Sequence, residues 1–274
     1  QIAETIEANH EKYDGFVILT GSDTMSYISS AISFMFENLQ KPIIFTGSQL
    51  PIGDLRTDAK ENLITTIEIA AARKNGKPII SEVGLYFEYK LYRANRTTKI
   101  NAAQFEAFTS MNYPPLAESG VHLNFNEPLL HSQKDIAEKL VVRKKLDTNI
   151  AILKLFPGIT KNVVESILQI QDLKGIVLET YGAGNALTQA WFLDLLKTSI
   201  QNGIQIVNVT QCVGGSVILG HYETSVAMKE IGVVNGKDIT TESAIAKLMY
   251  LLGENLGGKS FKRLFERSLR GEIS

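Results

Sequence analysis

Two apolar segments of this chain exit into the same tripeptide: Phe16-Val17-Ile18-Leu19 runs into Thr20-Gly21-Ser22, and Pro42-Ile43-Ile44-Phe45 runs into Thr46-Gly47-Ser48. Short apolar runs bounded by glycine and hydroxyl residues read as buried strands. Between them Met25, Ile28, Ile32, Met35 and Leu39 recur at three- and four-residue steps, the spacing of an amphipathic helix. A strand, a helix and a second strand read as a parallel crossover unit, because the helix returns the chain to the end of the sheet where it began. Both turns then open on one rim, and in such sheets ligands sit beyond the carboxyl ends of the strands. The first turn continues as Ser22-Asp23-Thr24 into the helix and the second as Ser48-Gln49. Hydroxyls, a carboxylate, an amide and free first-turn N–H groups share that rim, which suits a small polar ligand.

The 274 residues, 44% of them apolar, supply material for one or two domains. Gln1 to Tyr13 reads as a helix already under way, with Ile2, Ile6 and His10 at four-residue steps, so the natural chain is expected to begin upstream. Next come strand 15–20, helix 24–38, strand 42–46, helix 56–73 and strand 79–88. A polar stretch from Lys90 to Asn112 reads as irregular and too polar for a core. From about Asn112 to Asp147 the rhythm is interrupted by Pro114-Pro115, Pro128 and the run Val141-Val142-Arg143-Lys144-Lys145. Alternation then resumes with Ile150–Leu155, a helix at 160–170, Gly175–Leu178, a helix at 186–200 and Ile204–Val209. The tail is helical over 240–252 and 259–269 and stops at Leu269-Arg270-Gly271. The expected fold class is α/β in two layered domains: a larger N-terminal domain with a mixed or parallel sheet over 1–123, a linker over 124–147, and a smaller parallel-sheet domain over 148–274.

With 28 basic against 29 acidic residues the net charge is −1, which gives no footprint for nucleic acid and no polybasic membrane surface. No apolar run approaches the about 20 residues that span a bilayer, and Gln1-Ile2-Ala3-Glu4 is not a leader pattern. A soluble intracellular protein is expected. The single cysteine, Cys212, allows no internal disulfide and fits a reducing compartment. It reads as a small buried hydrophobe beside a strand end. His10, His122, His131 and His221 lack close ligand spacing, so no metal is expected. No strand leads into Gly-x-Gly-x-x-Gly or a phosphate-loop lysine, and Asp23 would repel phosphate, so no nucleotide cofactor is expected either.

Ser22, Asp23 and Thr24 are all favoured helix caps, and capping is the simplest reading of them taken alone. Gly21, which permits close backbone approach, and the second hydroxyl turn at Ser48 shift the balance toward a site. A hydroxyl is a weak nucleophile until a base takes its proton, and with no histidine nearby that base must be a carboxylate or a lysine. The segment Arg96-Thr97-Thr98-Lys99 reads by itself as a solvated basic loop. Its place just past the carboxyl end of the next strand nevertheless lets it fold over the rim, making Lys99 the candidate base in a serine–lysine couple oriented by an acid.

These stretches resemble a known family. Asp14-Gly15-Phe16-Val17-Ile18-Leu19-Thr20-Gly21-Ser22-Asp23-Thr24-Met25 is similar to the second signature, DGFVILHGTDTM, of the bacterial-type L-asparaginases. Four further stretches match the cytoplasmic type I branch in order and spacing: 41–49, 91–99, Tyr181-Gly182-Ala183-Gly184-Asn185-Ala186 and Thr210-Gln211-Cys212. The resemblance implies a smaller C-terminal domain that is flavodoxin-like, hydrolysis of L-asparagine to aspartate and ammonia through an acyl-enzyme, no cofactor, a cytoplasmic location and a homo-oligomer, dimer or tetramer. By family pattern Ser22, Asp23 and Lys99 form the second catalytic triad, Ser22, Asp23, Ser48 and Gln49 bind substrate, and Glu179, Asn185, Thr210 and Cys212 fall at an effector site. Tyr222 and Glu223 fall where a neighbouring domain completes a site.

Three departures qualify the match. The family's first signature, a strand followed by Thr-Gly-Gly-Thr-Ile that carries the primary nucleophile, is expected upstream of Gln1. Thr20 stands where the family has histidine, and Ser22 where it has threonine, which keeps the hydroxyl and loses the methyl that restricts χ1. Glu179 replaces an arginine of the effector site, a charge reversal that disfavours a substrate carboxylate there. Two other classes stay open from sequence: a non-catalytic amino-acid-binding homologue, and, against the charge of Asp23, a phosphate- or nucleotide-binding α/β domain using Gly21-Ser22-Asp23-Thr24 at a helix start.

Overall fold

The computed structural model describes residues 1–131, 138–220 and 223–274. Contacts divide the chain into two units, Gln1–Lys144 and Lys145–Ser274.

In the first unit helix α1 (Ile2–Asn9) precedes strand β1 (Phe16–Leu19), and helix α2 (Met25–Met35) crosses to β2 (Ile43–Thr46). Helix α3 (Ala59–Ala71) then leads to β3 (Val83–Phe87). The strands pair in parallel, Phe16 opposite Ile43 through Leu19 opposite Thr46, and Ile43 opposite Val83 through Phe45 opposite Leu85. The sheet is finished by antiparallel β4 (Lys90–Arg93), β5 (Ala117–Ser119) and β6 (Leu123–Phe125), giving six strands in chain order. Its apolar core joins Ile44, Ile69, Ala70, Tyr86, Leu91 and Leu116. Helix α2 ends at Met35, three residues before the expected stop, because Phe36–Glu37 pairs with Val141–Val142 as a two-stranded ribbon.

The reading of Lys90–Asn112 as irregular and too polar for a core is overturned. Lys90–Arg93 is a sheet strand, and Leu91 through Thr97 are all buried. Polar content did not keep this stretch outside because its arginines, the Asn95 amide N–H and the Thr97 hydroxyl are received by partners inside. Arg93 forks onto Glu82, with both side chains about 5% exposed or less, and donates to the Leu129 carbonyl at 2.9 Å. Arg93 and Arg96 also lie over the Tyr113 ring. Helix α2 supplies the rest: its buried face carries Ser26, Ser29, Ser30 and Ser33 beside the expected Met25 and Ile32. Asn95 donates to Ser33 Oγ at 3.2 Å and Thr97 to Ser26 Oγ at 3.1 Å. The two-residue turn between β3 and β4 holds Glu88 and Tyr89 at φ 47° and 68°, a hairpin geometry normally given to Asn-Gly.

In the second unit β7 (Ile150–Lys154), β8 (Gly175–Thr180), β9 (Gln205–Thr210) and β10 (Val234–Asn235) form a four-stranded parallel sheet in chain order. Helices α4 (Lys161–Leu168), α5 (Ala190–Gln201) and α6 (Glu223–Ile231) connect them. Phe192 and Leu196 of α5 pack on Leu153, Ile176, Leu178 and Ile206. Helix α5 starts four residues later than the sequence reading, since Tyr181–Asn185 closes into a bridge before it. Helices α7 (Thr241–Gly253) and α8 (Gly258–Phe265) follow. Leu248 of α7 lies so close to the sheet that a side chain at Gly175 would meet it at 2.9 Å. Lys247, fully buried, is paired with Glu272 and donates to the carbonyls of Phe265 and Arg267 at 2.7 Å.

Glu82→Ala is expected to lower the unfolding free energy by about 3–5 kcal/mol, because it strands the Arg93 guanidinium in the interior. Denaturant unfolding followed by Tyr and Trp fluorescence reads this, and a loss under about 1 kcal/mol would mean that water reaches the pair.

Candidate active site

Strand β1 delivers Thr20-Gly21-Ser22 to the rim, and a single 3₁₀ turn, Ser22–Thr24, feeds α2. Gly47, in the equivalent turn after β2, comes so close that a Cβ there would lie 2.3 Å from the Thr20 carbonyl and 2.8 Å from Met25 Cε. Glycine at 47 is therefore what lets the two turns touch. At Gly21 a Cβ would meet nothing within 4 Å, so that residue leaves open space above the backbone.

The capping reading of Ser22-Asp23-Thr24 does not hold: neither the 3₁₀ turn nor α2 receives a side-chain cap. The Ser22 and Asp23 side chains are engaged across the rim instead. Lys99, on a two-residue strand Thr98–Lys99 paired with Phe108–Thr109, donates from Nζ to Ser22 Oγ at 2.8 Å and to Asp23 Oδ1 at 2.7 Å. The Lys99 side chain is 15% exposed, whereas that of Asp23 is 91% exposed. An ammonium caught between a hydroxyl and a carboxylate fixes the direction of the hydrogen bonds. Ser22 accepts from Lys99 and donates its own hydroxyl hydrogen bond to Gln49 Oε1 at 3.0 Å. Gln49 Nε2 in turn donates to the Gln104 carbonyl at 2.9 Å, which settles which way the amide faces. The result is a directed chain, Lys99 to Ser22 to Gln49 to Gln104.

Hydrogen bonding from Lys99, and then its charge, holds the Asp23 carboxyl below the usual aspartate range. Burial and then the charges of Asp58, Glu61 and Glu106 push the Glu88 carboxyl above its usual range. Ser48 sits half-buried between Gly47 and Gln49. Two residues that sequence reasoning passed over complete the surroundings. Asp58 accepts from the Gln49 and Leu50 N–H groups, and Asn62 donates to Asp58 and to the Gly47 carbonyl. In sequence both fall inside the stretch read as helix 56–73, and only the observed start at Ala59 leaves Asp58 ahead of the helix, in the place of an ordinary cap.

The effector-site candidates lie in the second unit, and the sheet separates them. Glu179 and Thr180 occupy successive positions of β8, so they point to opposite faces. Glu179 faces α7, where it accepts from Thr241 Oγ1 at 2.8 Å and pairs with Lys154 at 3.1 Å. Thr210, level with Thr180, donates to the Gly182 carbonyl at 2.6 Å and accepts from the Cys212 N–H at 3.0 Å. Asn185 closes the bridge to Tyr181. Cys212 is exposed, which overturns its reading as a buried hydrophobe: it follows the last residue pair of β9 and has left the sheet. Tyr222 lies outside the described residues, and Glu223 opens α6. Among the described residues no cluster of three His, Cys, Asp or Glu is placed to hold a metal, and no helix is long and apolar enough to cross a membrane.

Comparison with known proteins places the chain in a family. The family model described as "Asparaginase, N-terminal" matches residues 1–131, and that described as "Glutaminase/Asparaginase C-terminal domain" matches residues 149–265. Over the whole chain the sequence is 42% identical to "L-asparaginase 1" of Escherichia coli (strain K12), covering 78% of that protein. It is also 42% identical to the "60 kDa lysophospholipase" of Mus musculus, of which it covers 47%. Among solved structures, L-asparaginase I from Vibrio cholerae O1 biovar eltor superposes with a TM-score of 0.91 at 41% identity, covering all of this chain and 80% of that one.

In an NMR titration the Asp23 carboxylate is expected to titrate below 3.8, the ordinary aspartate value, and Lys99→Met to return it toward that value. The sign follows from the pairing: stabilisation by the charged partner is present above the unfolded-state value and is lost as pH falls through the lowered one. An unshifted Asp23 in the wild type would mean that the pair is open in solution.

Proposed function

The chain belongs to the asparaginase family, and we propose that it hydrolyses L-asparagine to L-aspartate and ammonia, with Ser22, Asp23 and Lys99 as the second triad of the reaction. The observation that carries this reading is the position of Lys99 Nζ, within hydrogen-bond distance of both Ser22 Oγ and Asp23 Oδ1.

Each group has a physical task on this substrate. Asp23 is the exposed member, so its carboxylate is open to pair with the α-ammonium while it orients Lys99. Ser22 lies between a cationic donor and an amide acceptor, which suits a hydroxyl that relays a proton or holds the attacking water. Ser48 and Gln49 line the pocket for the side-chain amide, where fixed dipoles favour the charge that develops on its oxygen. In the overall step a hydroxyl oxygen bonds to the amide carbon, the C–N bond breaks, and ammonia leaves with a relayed proton. Water then splits the ester and returns the hydroxyl. In the family the primary nucleophile comes from the first signature, and in this reading Ser22 and Lys99 are the relay that serves it.

The same resemblance supports a homo-oligomer, dimer or tetramer, working in the cytoplasm. A binding homologue without turnover is the weaker alternative: binding alone does not require a lysine held on a hydroxyl whose proton is already directed elsewhere.

Ammonia release from asparagine by the full-length protein tests the assignment. Ser22→Ala and Lys99→Met are each expected to lower kcat by about 10²–10⁴-fold. Asparagine binding by the wild type with no ammonia released would establish the binder instead.

A further inference from the structure

We infer that Asp58 and Asn62 are positioning residues for the proposed reaction: together they clamp the turn 47–50 and thereby fix Gln49 against Ser22. This rests on the reading of Ser22, Gln49 and Lys99 as the site.

Asp58 stands directly before α3, where an aspartate ordinarily accepts from the first N–H groups of its own helix. It makes no such bond. Thr57 Oγ1 accepts from the Ala59 N–H at 3.0 Å and donates to the Leu50 carbonyl at 3.0 Å, so the helix start is served by the neighbouring residue. The Asp58 carboxylate turns back over the rim. It accepts from the Gln49 N–H at 2.9 and 3.1 Å, from the Leu50 N–H at 3.1 Å, and from Asn62 Nδ2 at 3.2 Å. Asp58 is 9% exposed and Asn62 1%. A buried carboxylate is tolerated only when its oxygens are satisfied, so these donors are held to the acid as firmly as the acid is held to them.

Asn62 extends the clamp in two directions. Its Nδ2 also reaches the Gly47 carbonyl at 3.0 Å, and its Oδ1 accepts from the Glu88 N–H at 3.3 Å, in the strained turn after β3. One buried pair on α3 therefore ties the loop that follows β2 to the loop that follows β3. The side chain that profits is Gln49. Its backbone N–H is pinned by Asp58, its Nε2 is taken by Gln104, and only then does its Oε1 meet the Ser22 hydroxyl at 3.0 Å. Releasing the backbone at 49 would let the amide swing and return the Ser22 proton to an undirected state. A displacement of about 1 Å in such a group is enough to cost about 10²-fold in rate.

The test is a double-mutant cycle in the full-length protein, measured as kcat and KM for asparagine. Asp58→Asn preserves shape but turns an amide N–H toward donors, and it is expected to lower kcat/KM by about 10- to 100-fold. In a Gln49→Ala background the same change is expected to cost under about 3-fold, because the residue through which Asp58 acts has already gone. Amide hydrogen exchange at Gln49 and Leu50 should accelerate in Asp58→Asn, with the melting temperature close to that of the wild type. Equal losses in both backgrounds would assign Asp58 a general structural role and overturn the inference, as would full activity in Asp58→Asn. A wild type that releases no ammonia would overturn the reading of the site, and this inference with it.

Discussion

The parallel, in-register pairing of β1 with β2 is the constraint from which the site follows. It ends both strands at the same level, Leu19 opposite Thr46, so the turns that leave them meet at one height. Close contact then depends on the missing side chain of Gly47, which rests against the Thr20 carbonyl. Because the turns touch, a hydroxyl from one and an amide from the other come within 3.0 Å. A shift in register by one residue would reverse the facing of every side chain on the strand and separate these groups.

Bringing Lys99 to this rim required the chain to bury polar residues. The path from β4 to Lys99 runs through Arg93, Asn95, Arg96 and Thr97, all under 5% exposed. Isolated buried charges and amides are costly, but here a carboxylate, a carbonyl, an aromatic ring and the serines of α2 receive them. The serine face of α2 joins two parts of the site, since α2 begins three residues after Ser22 and the segment docked on it ends two residues before Lys99. Hydrogen bonds along this seam resist sliding more than an apolar surface would, because each depends on one alignment. Lys99 therefore arrives at Ser22 with little freedom.

Legibility varied with how local the determining interaction was. The strands at 16–19 and 43–46 and helices α2, α3, α5 and α7 were readable from periodicity, as was the alternation that makes both units α/β. Helix ends were less so: α2 stops where a strand partner from 141–142 arrives, a contact made across more than a hundred residues. Lys90–Thr97 read as surface because its composition is polar, while its burial depends on Glu82 and on serines of a distant helix. Asp58 went unread because the helix was placed from residue 56, three residues before its observed start at Ala59, while the reading of Cys212 failed because its place beyond the strand end leaves an apolar side chain in the open.

By itself the sequence determined the succession of β1, α2, β2, α3 and β3, the parallel sense of β1 and β2, and the rim that holds Ser22, Asp23, Ser48 and Gln49. These follow from periodicities of two and 3.6 residues and from the handful of residues that stop them, which act over one or two turns of chain. Tertiary structure alone decided that Lys99 donates to both Ser22 and Asp23, that Ser22 donates a hydrogen bond to Gln49, and that Asp58 and Asn62 hold Gln49 in place. Direction in a hydrogen bond depends on which donors and acceptors are left once all neighbours are seated, and those neighbours come from segments up to 77 residues apart.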